Sequence, residues 1–184
     1  MTRMFPEVAI AIRTLVALIF LTASLGKMRH WVIFQGVIAN YRLLPDAAVG
    51  PAADLLPPVE ALVGILLLLG LATPWPEAGA AVLLLIFAAA MGINLLRGRR
   101  DIDCGCFQSA LKQTLSWTLV VRNAVLVLLL GVAVVVGAPG TLPEVMDGLL
   151  VGGVLFVILQ SLTILWSIVP AWRRTSTREA EVSL

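Results

Sequence analysis

The two cysteines, Cys104 and Cys106, are the residues of this chain best suited to chemistry. They stand one residue apart, with Gly105 between them, and the sequence contains no other cysteine. The glycine gives the backbone the freedom that a very small Cys-Gly-Cys ring requires. Strained disulfides are more oxidising and exchange more readily than relaxed ones. The spacing therefore predicts a catalytic pair that interconverts between a dithiol and a disulfide.

Two other interpretations fit the same pair of cysteines. Two thiolates suit a soft ion such as Cu(I). A structural Zn²⁺ needs four ligands, and the single histidine, His30, does not complete that set. Both cysteines could also be buried and inert, although they lie in a charged segment. We favour redox exchange and expect no bound metal.

The composition indicates the kind of molecule that must position these cysteines. Hydrophobic residues make up 60% of the 184 residues and charged residues only 13%, and the mean hydropathy is +1.00. Soluble domains carry roughly a quarter charged residues. We therefore predict an all-α integral membrane protein with a single multi-pass domain over residues 1–184. No basic patch is interleaved with aromatic residues, so the expected partner surface is the lipid bilayer and not nucleic acid.

Five apolar segments approach the length of about 20 residues that a membrane-spanning helix needs. The predicted spans are Val8–Leu25, Leu55–Ala72, Ala78–Leu96, Trp117–Val136 and Leu149–Val169. Pro57 and Pro58 are expected to mark the start of the second span. Gly148 and Gly152 have a spacing that allows close helix packing, although glycine is also simply tolerated in membrane helices. We expect a four-helix transmembrane bundle with the fifth span packed outside it.

The first apolar segment has a second interpretation as a cleaved signal peptide. Arg3 and Arg13 precede its apolar run, as in secretory signals, and cleavage would leave four spans. Glu7 and the apolar residues before Arg13 favour a retained helix instead. Arg13 would then lie at the end of the bundle opposite the cysteines, where we expect it to reach the interface or to meet Glu144 or Asp147.

The basic residues outside the predicted spans are concentrated at one end of them. Those at the cysteine end are Lys27, Arg29, Arg42, Arg97, Arg99, Arg100, Lys112, Arg173, Arg174 and Arg178. The other end has Arg3 and otherwise acidic residues. Because cytoplasmic loops carry the excess of Lys and Arg, the N-terminus is predicted outside and the C-terminus inside. This orientation places Cys104 and Cys106 on the cytoplasmic side.

The connection after the first span contains a further helical pattern over residues 31–42. Trp31, Phe34, Ile38 and Tyr41 recur at helical spacing and form one face. Aromatic residues on such a face suit the membrane interface. We predict an interfacial amphipathic helix, with a simple extension of the first span as the alternative.

Ionisable residues inside membrane segments indicate function by default. Glu60 and Arg122 each lie about five residues into a span that starts at the cysteine end, which places them at matching depth at ~1.5 Å per residue. We predict that they pair beneath the cysteines, and the alternative is that each side chain reaches the interface separately. Asn94 reaches the same depth, and Lys27 completes the supporting set. Lys27 itself is expected in the solvated interface.

Four motifs together resemble one protein family. They are Ala23–Lys27, Tyr41–Pro45, Glu60 and Asp103–Phe107. Over roughly residues 10–135 the chain resembles the methylamine utilisation protein MauE family, within the wider MauE/DoxX group of redox-associated membrane proteins. In that family a glycine often follows the phenylalanine of the cysteine motif, whereas this chain has Gln108.

The resemblance implies a function and a partner. The implied role is a membrane thiol–disulfide redox protein in the bacterial inner membrane, working with a thioredoxin-like, MauD-like protein. Together the two would mature the disulfide-rich small subunit of periplasmic methylamine dehydrogenase. That periplasmic target lies across the membrane from the side to which the charge distribution assigns the cysteines.

Several features of this role stay open at the level of sequence. A quinone is a candidate second substrate, but no motif identifies a quinone site. The alternatives to redox activity are a non-catalytic membrane assembly factor and a Cu(I)-binding or transport protein. Thiol–disulfide oxidoreductase activity is thus the favoured expectation among three.

Overall fold

The described part of the chain consists almost entirely of helices. The structure is a computed structural model that describes residues 6–99, 102, 115–136 and 142–182, so Cys104 and Cys106 lie outside the described residues. The helices of the described part are α1 Pro6–Arg29, α2 Trp31–Tyr41, α3 Asp46–Leu69, α4 Trp75–Leu96, α5 Trp117–Val136 and α6 Leu142–Val182. Five of them are long and apolar enough to cross a membrane. The predicted all-α integral membrane fold is confirmed.

Helix α1 is the centre of the bundle and packs against α3, α5 and α6. Its residues Leu15, Val16, Ile19 and Phe20 are buried in the main apolar core, together with residues of α3, α4 and α5. Helix α4 completes the bundle by packing against α5 and α3. Removing α1 as a signal peptide would remove the middle of this core, so we expect the segment to be retained.

Helix α3 starts earlier than its prolines suggest. It begins at Asp46, and Pro51, Pro57 and Pro58 all lie inside it. Membrane helices tolerate proline where neighbouring groups satisfy the disturbed backbone. A contact with α1 also holds this part of α3, because Ser24 Oγ donates a hydrogen bond of 2.7 Å to the Pro57 carbonyl. The prediction that Pro57 and Pro58 start the helix is therefore wrong.

Helix α6 lies on the outside of the bundle and touches α1 through glycines. A Cβ atom added to Gly148 would lie 2.7 Å from the Ile10 side chain, and one added to Gly152 would lie 2.6 Å from the Ala11 carbonyl. Most side chains between Leu142 and Thr163 are partly or fully exposed. The interpretation of Gly148 and Gly152 as a close-packing motif is confirmed.

Helix α2 is separate from α1 and lies against α3. Phe34 and Tyr41 face inward and are buried. Trp31 differs from the prediction that it shares their face: it is exposed, and its Nε1 donates a hydrogen bond of 2.8 Å to Asp54 Oδ1 on α3. The helix ends at Arg42, which adopts a left-handed conformation with φ 50°. The predicted helix over 31–42 is confirmed, and the simple extension of the first span is not.

Candidate functional site

The centre of the candidate site is a buried ion pair between Lys27 of α1 and Glu60 of α3. The two side chains form a salt bridge and are 8% and 1% exposed as residues. The ammonium group also lies 5.2 Å from the centre of the Phe34 ring and 4.8 Å from that of Phe87. Such distances allow cation–π attraction. The expectation that Lys27 is solvated is wrong, because aromatic rings from α2 and α4 cover it.

The carboxylate of Glu60 therefore pairs with Lys27 and not with Arg122. Helix α5, which carries Arg122, lies against α1 and α4. Helix α1 packs closely on α3, and its residue Lys27 forms the salt bridge with the Glu60 carboxylate. The two residues do lie at one level of the bundle, since both line one cavity, but the predicted direct pair is wrong.

Glu60 and Arg122 nevertheless line one small cavity of about 40 Å³. Lys27 and Asn123 also line it. Glu60 Oε2 and Arg122 Nε are both buried and have no hydrogen-bond partner among the described residues. A cavity of this size has room for a water molecule, which needs at least about 10–15 Å³ and polar partners. The cavity can therefore hold water that connects the two groups.

Asn94 is fully buried but has a different role from that predicted. Its Nδ2 donates to the Ala90 carbonyl at 3.1 Å, and Arg99 Nη1 donates to its Oδ1 at 3.2 Å. Its backbone carbonyl also accepts from the Arg99 N–H at 3.0 Å. Asn94 thus stabilises the C-terminal end of α4, from which the chain continues to the cysteines.

The two ends of the cysteine segment are fixed at this same end of the bundle. The Leu115 N–H donates a hydrogen bond of 3.1 Å to the Ile102 carbonyl. Both side chains pack against a buried cluster that includes Tyr41, Met91 and Leu119. The chain between these ends, residues 103–114, carries both cysteines. The prediction that Glu60 and Arg122 lie beneath the cysteines stays a prediction, because residues 103–114 lie outside the described residues.

A second, larger cavity of about 220 Å³ lies beneath α2 and adjoins the ion pair. Its lining is almost entirely apolar and comes from α2, α3 and α4, with Lys27 at one side. Among its lining residues are Phe34, Ile38, Tyr41, Phe87 and Met91. The sequence analysis did not predict this cavity. The only sequence feature that indicated this cavity was the aromatic face of α2.

A second buried ion pair lies at the opposite end of the bundle. Arg13 Nε lies 2.7 Å from Glu77 Oε1, at an angle that does not make a hydrogen bond. Glu77 is 1% exposed. The sequence predicted Glu144 or Asp147 as the residue that meets Arg13, whereas its partner in the structure is Glu77, in the first turn of α4.

Comparisons with known proteins agree on one family. The family model described as "Methylamine utilisation protein MauE" matches residues 6–136. The chain is 47% identical over 165 residues to the methylamine utilization protein MauE of Paracoccus denitrificans, covering 87% of this chain and 88% of the relative. It is 43% identical over 163 residues to the protein of the same name from Paracoccus versutus, with 87% and 88% covered. A third relative of that name, from Methylorubrum extorquens, is 39% identical over 123 residues, with 67% and 66% covered.

No solved structure matches the chain. The assignment therefore depends on the family model and the relatives, and the matched residues 6–136 include the cysteine motif, Lys27, Glu60 and Arg122. This chain belongs to the MauE family of methylamine utilisation proteins.

Proposed function

We propose that the protein is a membrane thiol–disulfide redox protein that assists disulfide formation in a partner during methylamine utilisation. The disulfide of Cys104 and Cys106 accepts two electrons from a partner dithiol, which becomes a disulfide while this pair becomes a dithiol. The exchange passes through a mixed disulfide between the two proteins. The partner class is a thioredoxin-like protein, and the final target is the small subunit of methylamine dehydrogenase.

The observation that carries this proposal is the anchoring of the cysteine segment. The Leu115–Ile102 hydrogen bond closes the segment at its base, next to the buried cluster around Tyr41 and Met91. A segment closed in this way begins and ends at one point on the bundle surface, so a partner can approach a defined site. The family membership supports the same proposal, because the relatives are named for methylamine utilisation.

Replacing either Cys104 or Cys106 with serine should abolish partner maturation, because a single thiol cannot complete a disulfide. The measurement is the amount of correctly oxidised methylamine dehydrogenase small subunit in cells that produce each variant at equal levels. Ser109→Ala, in the same segment, is the matched control and should retain full activity. Full activity in both cysteine variants would contradict the redox proposal and favour a non-catalytic assembly factor.

We further propose that the chain lies in the bacterial inner membrane with its N-terminus outside and its C-terminus inside. The basic residues Arg29, Arg42, Arg97 and Arg99 all lie at the cysteine end of the helices, which the positive-inside rule assigns to the cytoplasm. Reporter fusions after Pro76 and after Pro139 should therefore read as periplasmic. Cytoplasmic signals at both positions would reverse the orientation.

The orientation also determines how the exchange reaches its target. If the cysteine end lies in the cytoplasm, the cysteines cannot contact a periplasmic subunit directly. Electrons must then cross the membrane to connect the two. With the reverse orientation, direct exchange with a periplasmic thioredoxin-like partner is allowed. The same two fusions distinguish these routes.

A further inference from the structure

The cavity beneath α2 has the features of a site for an aromatic ring. Its volume is about 220 Å³, whereas an apolar cavity of about 150 Å³ is enough to bind benzene. The rings of Phe34 and Phe87 belong to its lining, and aromatic side chains favour stacked or edge-on contact with another ring. The cavity thus has room for one substituted ring and not for a whole phospholipid.

One side of the cavity opens toward the lipid. Leu44 and Ile86 line it and are 44% and 54% exposed. Ile86 lies in the middle of the spanning helix α4, where exposed side chains face hydrocarbon. A ligand that enters here therefore comes from the membrane, and an apolar tail can remain in the lipid while the ring is inside.

Lys27 gives the inner side of the cavity a hydrogen-bond donor. An ammonium group has three N–H donors, and among the described residues Glu60 accepts one of them. A ligand with a carbonyl oxygen on its ring would accept another. A saturated acyl chain would leave this donor unused, so the chemistry favours a ring that carries an acceptor.

From these features we propose that the cavity binds the ring of a membrane quinone, with Lys27 donating a hydrogen bond to a ring carbonyl. The proposal deepens the proposed function and rests on it for the electron source. The cysteine dithiol produced by exchange with the partner must be reoxidised before a second cycle. The quinone takes two electrons and two protons from the two thiols, and the products are the Cys104–Cys106 disulfide and a hydroquinone.

The position of the cavity fits this step. Tyr41 and Met91 line the cavity and also belong to the buried cluster on which both ends of the cysteine segment pack. The quinone site and the base of the cysteine segment therefore share two side chains. As a carbonyl oxygen is reduced, it gains negative charge, which the Lys27 ammonium stabilises. Lys27 thus positions the ring by donating a hydrogen bond to its carbonyl.

The test is photo-crosslinking with an azido-ubiquinone in nanodiscs, with ubiquinone-1 as the competing probe. We expect saturable labelling of peptides from α2 and α4 that excess ubiquinone-1 suppresses. Ala90→Trp fills the cavity and should reduce this labelling about tenfold or more. Ala89→Trp is the matched control, because Ala89 is exposed and does not line the cavity. Leu44→Trp, at the exposed rim, should reduce labelling as well and provides a second variant if Ala90→Trp does not fold.

The outcomes separate this proposal from the proposed function. Equal labelling of the Ala90→Trp and Ala89→Trp variants, or labelling that ubiquinone-1 does not suppress, overturns the quinone site. Thiol exchange with a reduced thioredoxin-like protein is measured on the unsubstituted protein, and exchange there without saturable labelling would support the redox function and overturn the quinone site. Saturable labelling in a protein without thiol exchange would support the site and contradict the redox function.

Discussion

Replacing Glu60 with glutamine should lower the stability of the folded protein by about 3–5 kcal/mol, the range for breaking a buried ion pair by removing one partner. Glu60 and Lys27 are both almost fully buried, so neither charge can reach water when the other is removed. Lys27→Met should have a similar effect, because it leaves the carboxylate of Glu60 unpaired. The measurement is thermal unfolding of each variant in nanodiscs.

The double variant Lys27→Met, Glu60→Gln tests the ion pair most directly. It removes both charges and should be less destabilised than the sum of the two single variants, with a coupling of about 0.5–3 kcal/mol. Asp54→Asn is the control, since Asp54 is exposed and makes a hydrogen bond to Trp31 that asparagine can still accept. Additive single effects would contradict the ion pair, and a large effect of Asp54→Asn would show that any acidic residue of α3 matters.

Replacing Gly152 with leucine should separate α6 from α1 and have the second largest effect on stability. A Cβ atom at this position would lie 2.6 Å from the Ala11 carbonyl and 2.6 Å from Thr14 Cβ. Backbone atoms cannot move aside as a flexible side chain does, so the helices must part. Overpacking of this kind costs about 1–3 kcal/mol, and a whole leucine side chain should reach at least the upper end. The measurement is thermal unfolding, together with disulfide crosslinking of cysteines introduced into α1 and α6.

The adjacent glycine provides the control for this experiment. A Cβ atom at Gly153 meets no atom within 4 Å, so Gly153→Leu should leave both stability and crosslinking close to those of the original chain. Similar losses in the two variants would mean that leucine disturbs α6 itself and not its contact with α1.

The fold was largely predictable because membrane helices are defined by length and hydropathy. Helix α5 has the predicted bounds, Trp117 and Val136. The start of α3 was not predictable from its prolines, because membrane helices tolerate proline where neighbouring helices pack against them, as α1 does here through the contact of Ser24 with the Pro57 carbonyl. That contact joins residues of two helices and has no signature in the local sequence.

The sequence predicted the level of the candidate site along the helices, but not which ionisable residues pair there. Counting residues from the cysteine end placed Glu60 and Arg122 at one level, and the shared small cavity agrees with that. The count gives no information on the direction of each side chain around its helix axis, and so it missed that α1 supplies Lys27 as the partner. Lys27 is covered by Phe34 of α2 and by Phe87 of α4, so its burial depends on contacts between residues that are distant in the sequence.

The central claim is that Cys104 and Cys106 interconvert between a dithiol and a disulfide. The most direct measurement is rapid acid quenching of cells, followed by alkylation with a high-mass thiol reagent before and after reduction. The account predicts a fraction of the protein that gains two reagent masses only after reduction, and a larger such fraction when the dithiol partner is deleted. Complete alkylation of both cysteines without reduction, in the presence and in the absence of the partner, would contradict it.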